Sequence, residues 1–240
     1  MSNASTHQPV KGVPPKGCRK CKRLVDYRRL YQKQQAEWFN GAVPPWGPQN
    51  APLLIIGLAP GLKGAHRTGR VFTGDSAGGF LFDALIDHDF VEGTYDSSGN
   101  DNLKALSVCI TNAVACVPPQ NKPTPEEIRT CQPFLLKQIK SMPNLKAILC
   151  LGTLAHQAFL TSIGLKKSSL PFRHGIKHRL DDLKENGYSP VLNDKYSNIT
   201  LFNSYHCSRY NTQTGRLTKK MFYEVLRDVK STIDATSKQA

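Results

Sequence analysis

The 240 residues suffice for one large domain with its own core, and their formal net charge of +14, with a pI near 9.6, favours polyanionic partners. No apolar run reaches the roughly 18 residues of a membrane span, no basic amphipathic helix marks a membrane surface, and the opening Met-Ser-Asn-Ala-Ser-Thr-His-Gln-Pro lacks the apolar stretch of a secretory signal. Membrane classes are thereby excluded, and the expectation is a cytoplasmic monomer, associated with the nucleoid through DNA, whose seven cysteines are thiols or metal ligands rather than disulfides.

Residues 1–16 are polar and rich in Pro, Gly and Lys, and read as a flexible tail. A helix is expected over 19–39, with Leu24, Leu30, Tyr31 and Trp38 as its apolar stops and Arg19, Lys20, Lys22, Arg23, Arg28 and Arg29 on its exposed face. Four apolar runs of strand length and β-branched content follow: Leu53–Leu58, Leu106–Val114, Ala147–Leu151 and Ile199–Asn203. Helical patterns separate them at about 78–89, 125–142 and 153–162, and another lies near 218–233. The helix at 125 has a clear start, with Thr124 as N-cap, Pro125 in the first helical position and Glu126–Glu127 suiting the dipole. Alternating strands and helices predict a three-layer α/β/α sandwich around a four-stranded, mostly parallel sheet, one domain over 17–233 with a C-terminal tail at 234–240. The polar stretch Asp181–Asn198 reads as a surface insertion.

Ligands of open α/β sheets bind beyond the carboxyl ends of the strands. There the chain places a glycine-rich loop, Gly57 to Asp75, then Thr111-Asn112, then Gly152-Thr153, then Ser204 to Arg216. The loop lacks both the Gly-Lys-Ser/Thr ending of a nucleotide-triphosphate loop and the G-x-G-x-x-G fingerprint. Taken singly, Asp75 reads as a helix N-cap, Phe72 as core, Asn112 as a structural amide and His206 as a surface histidine. Their common edge is what marks a site. Cys18-x-x-Cys21 and the distant pair Cys116 and Cys131 suggest one soft-ligand centre fed from two segments, for zinc or an iron–sulfur cluster.

Together these segments resemble the uracil-DNA glycosylase superfamily, and within it the iron–sulfur family 5, or type b, enzymes. The resemblance is carried by Gly57-Leu58-Ala59-Pro60-Gly61, by Arg67-Thr68-Gly69-Arg70-Val71-Phe72-Thr73-Gly74-Asp75, by Thr111-Asn112-Ala113-Val114 with Cys116-Val117-Pro118-Pro119, and by His206-Cys207-Ser208 with Asn211 to Thr218. It covers about residues 17–230. It implies a [4Fe–4S] cluster on Cys18, Cys21, Cys116 and Cys131, zinc remaining the alternative. It also implies excision of uracil, and of hypoxanthine or other deaminated bases, from double- and single-stranded DNA by hydrolysis of the N-glycosidic bond.

The resemblance further implies a division of labour. Phe72 stacks on the flipped base and Asn112 reads its edge, within a pocket that includes Gly57, Leu58, Ala59 and Gly61. His206 stabilises the departing base, and Asp75 steadies the sugar cation, orients water, or both. Lys63, His66, Arg67, Arg70 and Lys122 are expected to meet phosphates, and Ser208-Arg209-Tyr210 to press into the minor groove. Cys207 stands where the family usually has proline, a change expected to loosen the loop or expose a thiol. The alternatives are a non-catalytic iron–sulfur DNA-binding protein of the same fold and a redox protein that uses only the cysteines.

Overall fold

The structure, a computed structural model, describes residues 12–185, 192 and 198–237. In chain order the elements are α1 (Lys22–Gln34), β1 (Leu53–Gly57), α2 (Ala65–Thr68), α3 (Ser76–Ile86), β2 (Val91–Glu92), β3 (Lys104–Ala105), β4 (Val108–Asn112), α4 (Pro125–Lys140), β5 (Ala147–Leu151), α5 (Thr153–Ser162), β6 (Lys177–Arg179), α6 (Asp182–Glu185), β7 (Thr200–Ser204), α7 (Arg209–Gln213) and α8 (Lys219–Ser237).

The main sheet has the order β4-β1-β5-β7-β6, with β1, β4, β5 and β7 parallel and β6 antiparallel on β7. It has five strands where four were expected. The added strand, Lys177-His178-Arg179, is short and polar and sits at the edge, a place that tolerates solvated side chains. The four parallel strands are apolar because helices cover both faces. Side chains alternate between those faces. Leu53, Ile55, Ile110, Leu149 and Phe202 join the core with α3 and α8, while Leu54, Ile56, Cys109, Ile148, Cys150 and Leu201 join that with α4 and α5. The sandwich is therefore three-layered, as expected.

Helix α4 starts as its sequence requires. Thr124 Oγ1 accepts from the Glu127 N–H while Glu127 accepts from the Thr124 N–H, a closed capping box. Helix α1 is shorter than the expected 19–39, and Leu30 is half exposed rather than an apolar stop. Part of the expected tail is docked: Pro14 is buried, and the Lys16 carbonyl accepts from the Ala42 N–H and from Arg28. Residues 1–11 and 238–240, and most of the stretch 181–198, lie outside the described residues, and α8 runs to Ser237. No helix among the described residues is long and apolar enough to cross a membrane.

Candidate active site

Three parallel strands deliver the site. Strand β1 ends at Gly57, opposite Asn112 at the end of β4. A Cβ on residue 57 would collide with Asn112 Oδ1 and press on the Phe72 ring, so glycine here lets those two side chains close over the strand end. Strand β7 ends at Ser204, leading into His206. Phe72 and His206 face each other with ring centroids 6.1 Å apart.

These groups line one cleft of about 360 Å³, open to solvent, together with Ala59, Pro60, Gly61, Thr73, Asp75, Ser208 and Arg209. Phe72 has a φ of 56°, a costly value for a bulky side chain. Its carbonyl accepts from the Tyr95 hydroxyl at 3.2 Å, and Gly78 gives that carbonyl room where a Cβ would collide with it. The ring is thus fixed by the loop around it before any ligand arrives.

Asp75 is the helix N-cap that its residue type suggests, and it lines the cleft as well. One carboxylate oxygen accepts from the Ala77 and Gly78 N–H groups at the start of α3, and this cap fixes the side chain on the cleft wall. His206 lies against that wall. Burial pushes its pKa below the ordinary 6.5, and the Asp75 charge only partly opposes this. A neutral imidazole beside a fixed carboxylate can donate an N–H to a developing anion while the carboxylate faces a developing cation.

Several expected DNA contacts hold their surface positions. Lys63, Lys122, Arg209 and Tyr210 are exposed, and Ser208 caps α7 through the Asn211 N–H. Tyr210 is 70 % exposed, unusual for an aromatic ring. Arg67 is half-buried, its Nε donating to the Lys63 carbonyl.

His66 and Arg70 depart from expectation. His66 is fully buried, its ring packed edge-on against Tyr31 and Trp38, and burial together with the Arg28 charge drives its pKa down to about 4. Arg70 forms a two-pronged ion pair with Asp101 at 2.5 Å and is ringed by Trp46, Phe82 and Tyr95. Neither reaches a surface where DNA could lie. Leu58 sits beside the cleft and pairs its carbonyl with the Val114 N–H rather than lining the space. Cys207 neither loosens the loop nor exposes a thiol. It is buried in the core under α3 and α8, and burial lifts its pKa to about 12.

Asn121 is a polar lining residue that the sequence reading missed. It reaches the cleft from the loop between Cys116 and Cys131, with a φ of 57° next to Gln120 at 56°. The signal was present in Pro118-Pro119-Gln120-Asn121-Lys122-Pro123, since asparagine tolerates the left-handed region. Ser76 at the start of α3 is a second lining residue not anticipated.

The four expected cysteines line a separate, narrow chamber, walled by Pro14, Leu24, Val25, Phe134 and the stem of Arg28. Cys18 and Cys21 precede α1, Cys116 follows β4 and Cys131 lies within α4. The Arg23–Glu127 ion pair locks α1 onto α4 beside them. Burial, with the neighbouring thiols adding to it, raises the Cys116 thiol to about 12 and Cys131 to about 11. Thiols so placed ionise only when a cationic group claims them. Among the described residues, no group of three or more His, Cys, Asp or Glu side chains stands close enough to hold a metal ion. The donor set is nonetheless all sulfur, in an apolar chamber with a buried guanidinium.

The family model of the uracil DNA glycosylase superfamily matches residues 44–230, which include every cleft-lining residue. A type-5 uracil-DNA glycosylase of Thermus thermophilus is 39% identical over 218 residues, covering 89% of this chain and 92% of that protein. Proteins with the same description from Mycobacterium leprae (37% identical, 89% and 90% covered) and Pyrobaculum aerophilum (36%, 88% and 86%) are similar over the same extent. Fold, strand-end cleft and relatives agree, and the chain belongs to the type-5 family of the uracil DNA glycosylase superfamily.

Proposed function

We propose that the protein excises uracil from DNA as the first step of base excision repair, leaving an abasic site. The observation that carries this reading is the cleft that gathers Phe72 and Asp75, Asn112 and His206 from three separate segments. The target bond is out of reach inside a duplex, so the nucleotide must be flipped out, at a cost of a few kcal/mol. In the cleft, the base stacks on Phe72 and the Asn112 amide pairs with its polar edge. As the glycosidic bond lengthens, positive charge grows on the sugar and negative charge on the base. The His206 N–H meets the negative end and Asp75 the positive end. Water enters from the open side of the cleft, which the Asp75 carboxylate and the Asn121 amide both line. The small Ala59 leaves space for a purine, which supports hypoxanthine as a second substrate.

Lys63, Arg67, Lys122 and Arg209 are proposed to hold phosphates around the cleft mouth, with Tyr210 as the wedge that fills the gap in the base stack. Tyr210→Ala is expected to slow excision from duplex DNA by about tenfold, roughly the 1.4 kcal/mol of a lost stacking contact, and to leave single-stranded substrate nearly unaffected. Equal losses on both substrates would remove Tyr210 from the wedge role.

The four cysteines are proposed to hold a [4Fe–4S] cluster. A lone zinc ion, with Zn–S bonds of about 2.3 Å, draws four sulfurs into one tight tetrahedron. An all-cysteine set in an apolar chamber beside the buried Arg28 guanidinium supports the larger, anionic iron–sulfur core instead. When bound, such a cluster supplies iron–thiolate bonds that cross-link α1 to α4.

The test is single-turnover base release from duplexes carrying one uracil or one hypoxanthine, with abasic sites revealed by alkali. Uracil release above the enzyme-free control is expected. Tight binding of both duplexes without release would leave a DNA-binding protein in its place.

A further inference from the structure

Arg28 is a buried cation without a carboxylate partner among the described residues, a costly arrangement unless some other anion is near. It is 6% exposed, two turns after Cys21 on α1. Its Nη1 donates to the Lys16 carbonyl at 2.9 Å, and its Nη2 to the Cys18 carbonyl. Nε is buried with no partner, although the side chain lines the chamber of the four cysteines. The other basic groups nearby are otherwise engaged. Arg23 is paired with Glu127, and Lys20 lies over the Phe134 ring at the rim. Four thiolates around an iron–sulfur core carry a net negative charge in every common oxidation state, and the potential of such a core follows that charge and the hydrogen bonds to its sulfurs.

We propose that Arg28 is the buried counter-charge of this chamber and that its free Nε–H is the hydrogen-bond donor to a sulfur of the bound group, so that Arg28 sets the group's reduction potential. The inference rests on the cluster reading given above. The sign follows from Coulomb's law: a fixed positive charge favours the more negative, reduced form and raises the potential. The two carbonyl bonds serve a second end, since they fix Cys18 and the chain before it against α1.

The experiment uses the protein purified without air and compares it with Arg28→Gln and Arg28→Lys. Iron and sulfide per chain, visible absorbance and midpoint potential by voltammetry are the readouts, with the electrode supplying the electron. In Arg28→Gln the reduced-to-oxidised ratio at fixed potential is expected to fall at least about tenfold, which is 59 mV for a one-electron couple. Arg28→Lys, which keeps the charge, is expected to fall less. Reduced iron loading with an unchanged potential in the loaded fraction would mean a purely structural arginine and would overturn the proposal. Zinc without visible absorbance in the unmodified protein would instead remove the cluster reading, and this one with it. Should the variants not load, unmodified protein grown with 15N-arginine and brought to its paramagnetic state decides. Pulsed electron resonance is expected to detect a coupled arginine nitrogen, and its absence rules the contact out.

Discussion

His206→Ala is expected to lower single-turnover uracil release by about 10²–10³-fold, the range for removing one donor aimed at developing negative charge. Affinity for uracil-containing DNA should change little, because the imidazole contributes most when the base departs. The pH profile gives the same assignment independently. Burial holds the His206 pKa below 6.5. The neutral donor therefore persists as pH falls through 6.5, and the acid limb of the rate lies lower. A limb centred at or above 6.5 would show that the imidazole is not held neutral and would sink the assignment. The folding contribution has the matching sign. The folded protein takes up the His206 proton less readily than the unfolded chain, so stability is full above 6.5 and is lost as pH falls below it. Asp75 limits the effect without reversing it.

Arg70→Ala is expected to destabilise the fold by about 3–5 kcal/mol, since it strands the Asp101 carboxylate in the interior without its partner. For a chain of this size that is a fall of about 6–20 °C in Tm. Burial alone would raise the Asp101 pKa, but the Arg70 hydrogen bonds and the Asp96 and Leu103 N–H groups outweigh it and hold it below 3.8. That contribution to stability is present above 3.8 and is lost as pH falls below it. The damage should also reach the cleft, because Tyr95, packed against Arg70, holds the Phe72 carbonyl. Thermal unfolding and the salt dependence of DNA binding are the two checks. A phosphate contact would lower the salt slope by about one unit with Tm unchanged, and that outcome would reject the clamp.

The parts of the fold that were legible are those with local causes. Strand β5 and helix α5 fall at the expected residues because their apolar patterns and the intervening Gly152 are self-contained. Helix α4 announces itself through Thr124, Pro125 and Glu127. Strand β6 was not legible, since Lys177-His178-Arg179 forms a strand only because β7 offers an edge. The same limit explains the site. Asn112 ends β4, His206 follows β7 and Asp75 caps the start of α3, so topology places them at one edge. His66 and Arg70 sit in a basic, glycine-rich loop that looks no different from a phosphate-binding one. Their burial is decided by Tyr31, Trp38, Trp46, Phe82, Tyr95 and Asp101, all remote in sequence.

The placement of the four cysteines imposes an order of events during synthesis. Cys18 and Cys21 leave the ribosome roughly a hundred residues before Cys116, an interval of about 5–20 s at cellular rates of elongation. Strand β1, central in the sheet, finds both neighbours only when β4 and then β5 have emerged. The first pair of thiols must therefore wait, exposed to oxidants and stray metal ions, until the chain behind them has folded. The segment made first can be joined to its partner thiols only after Cys131, more than a hundred residues behind Cys21, has emerged.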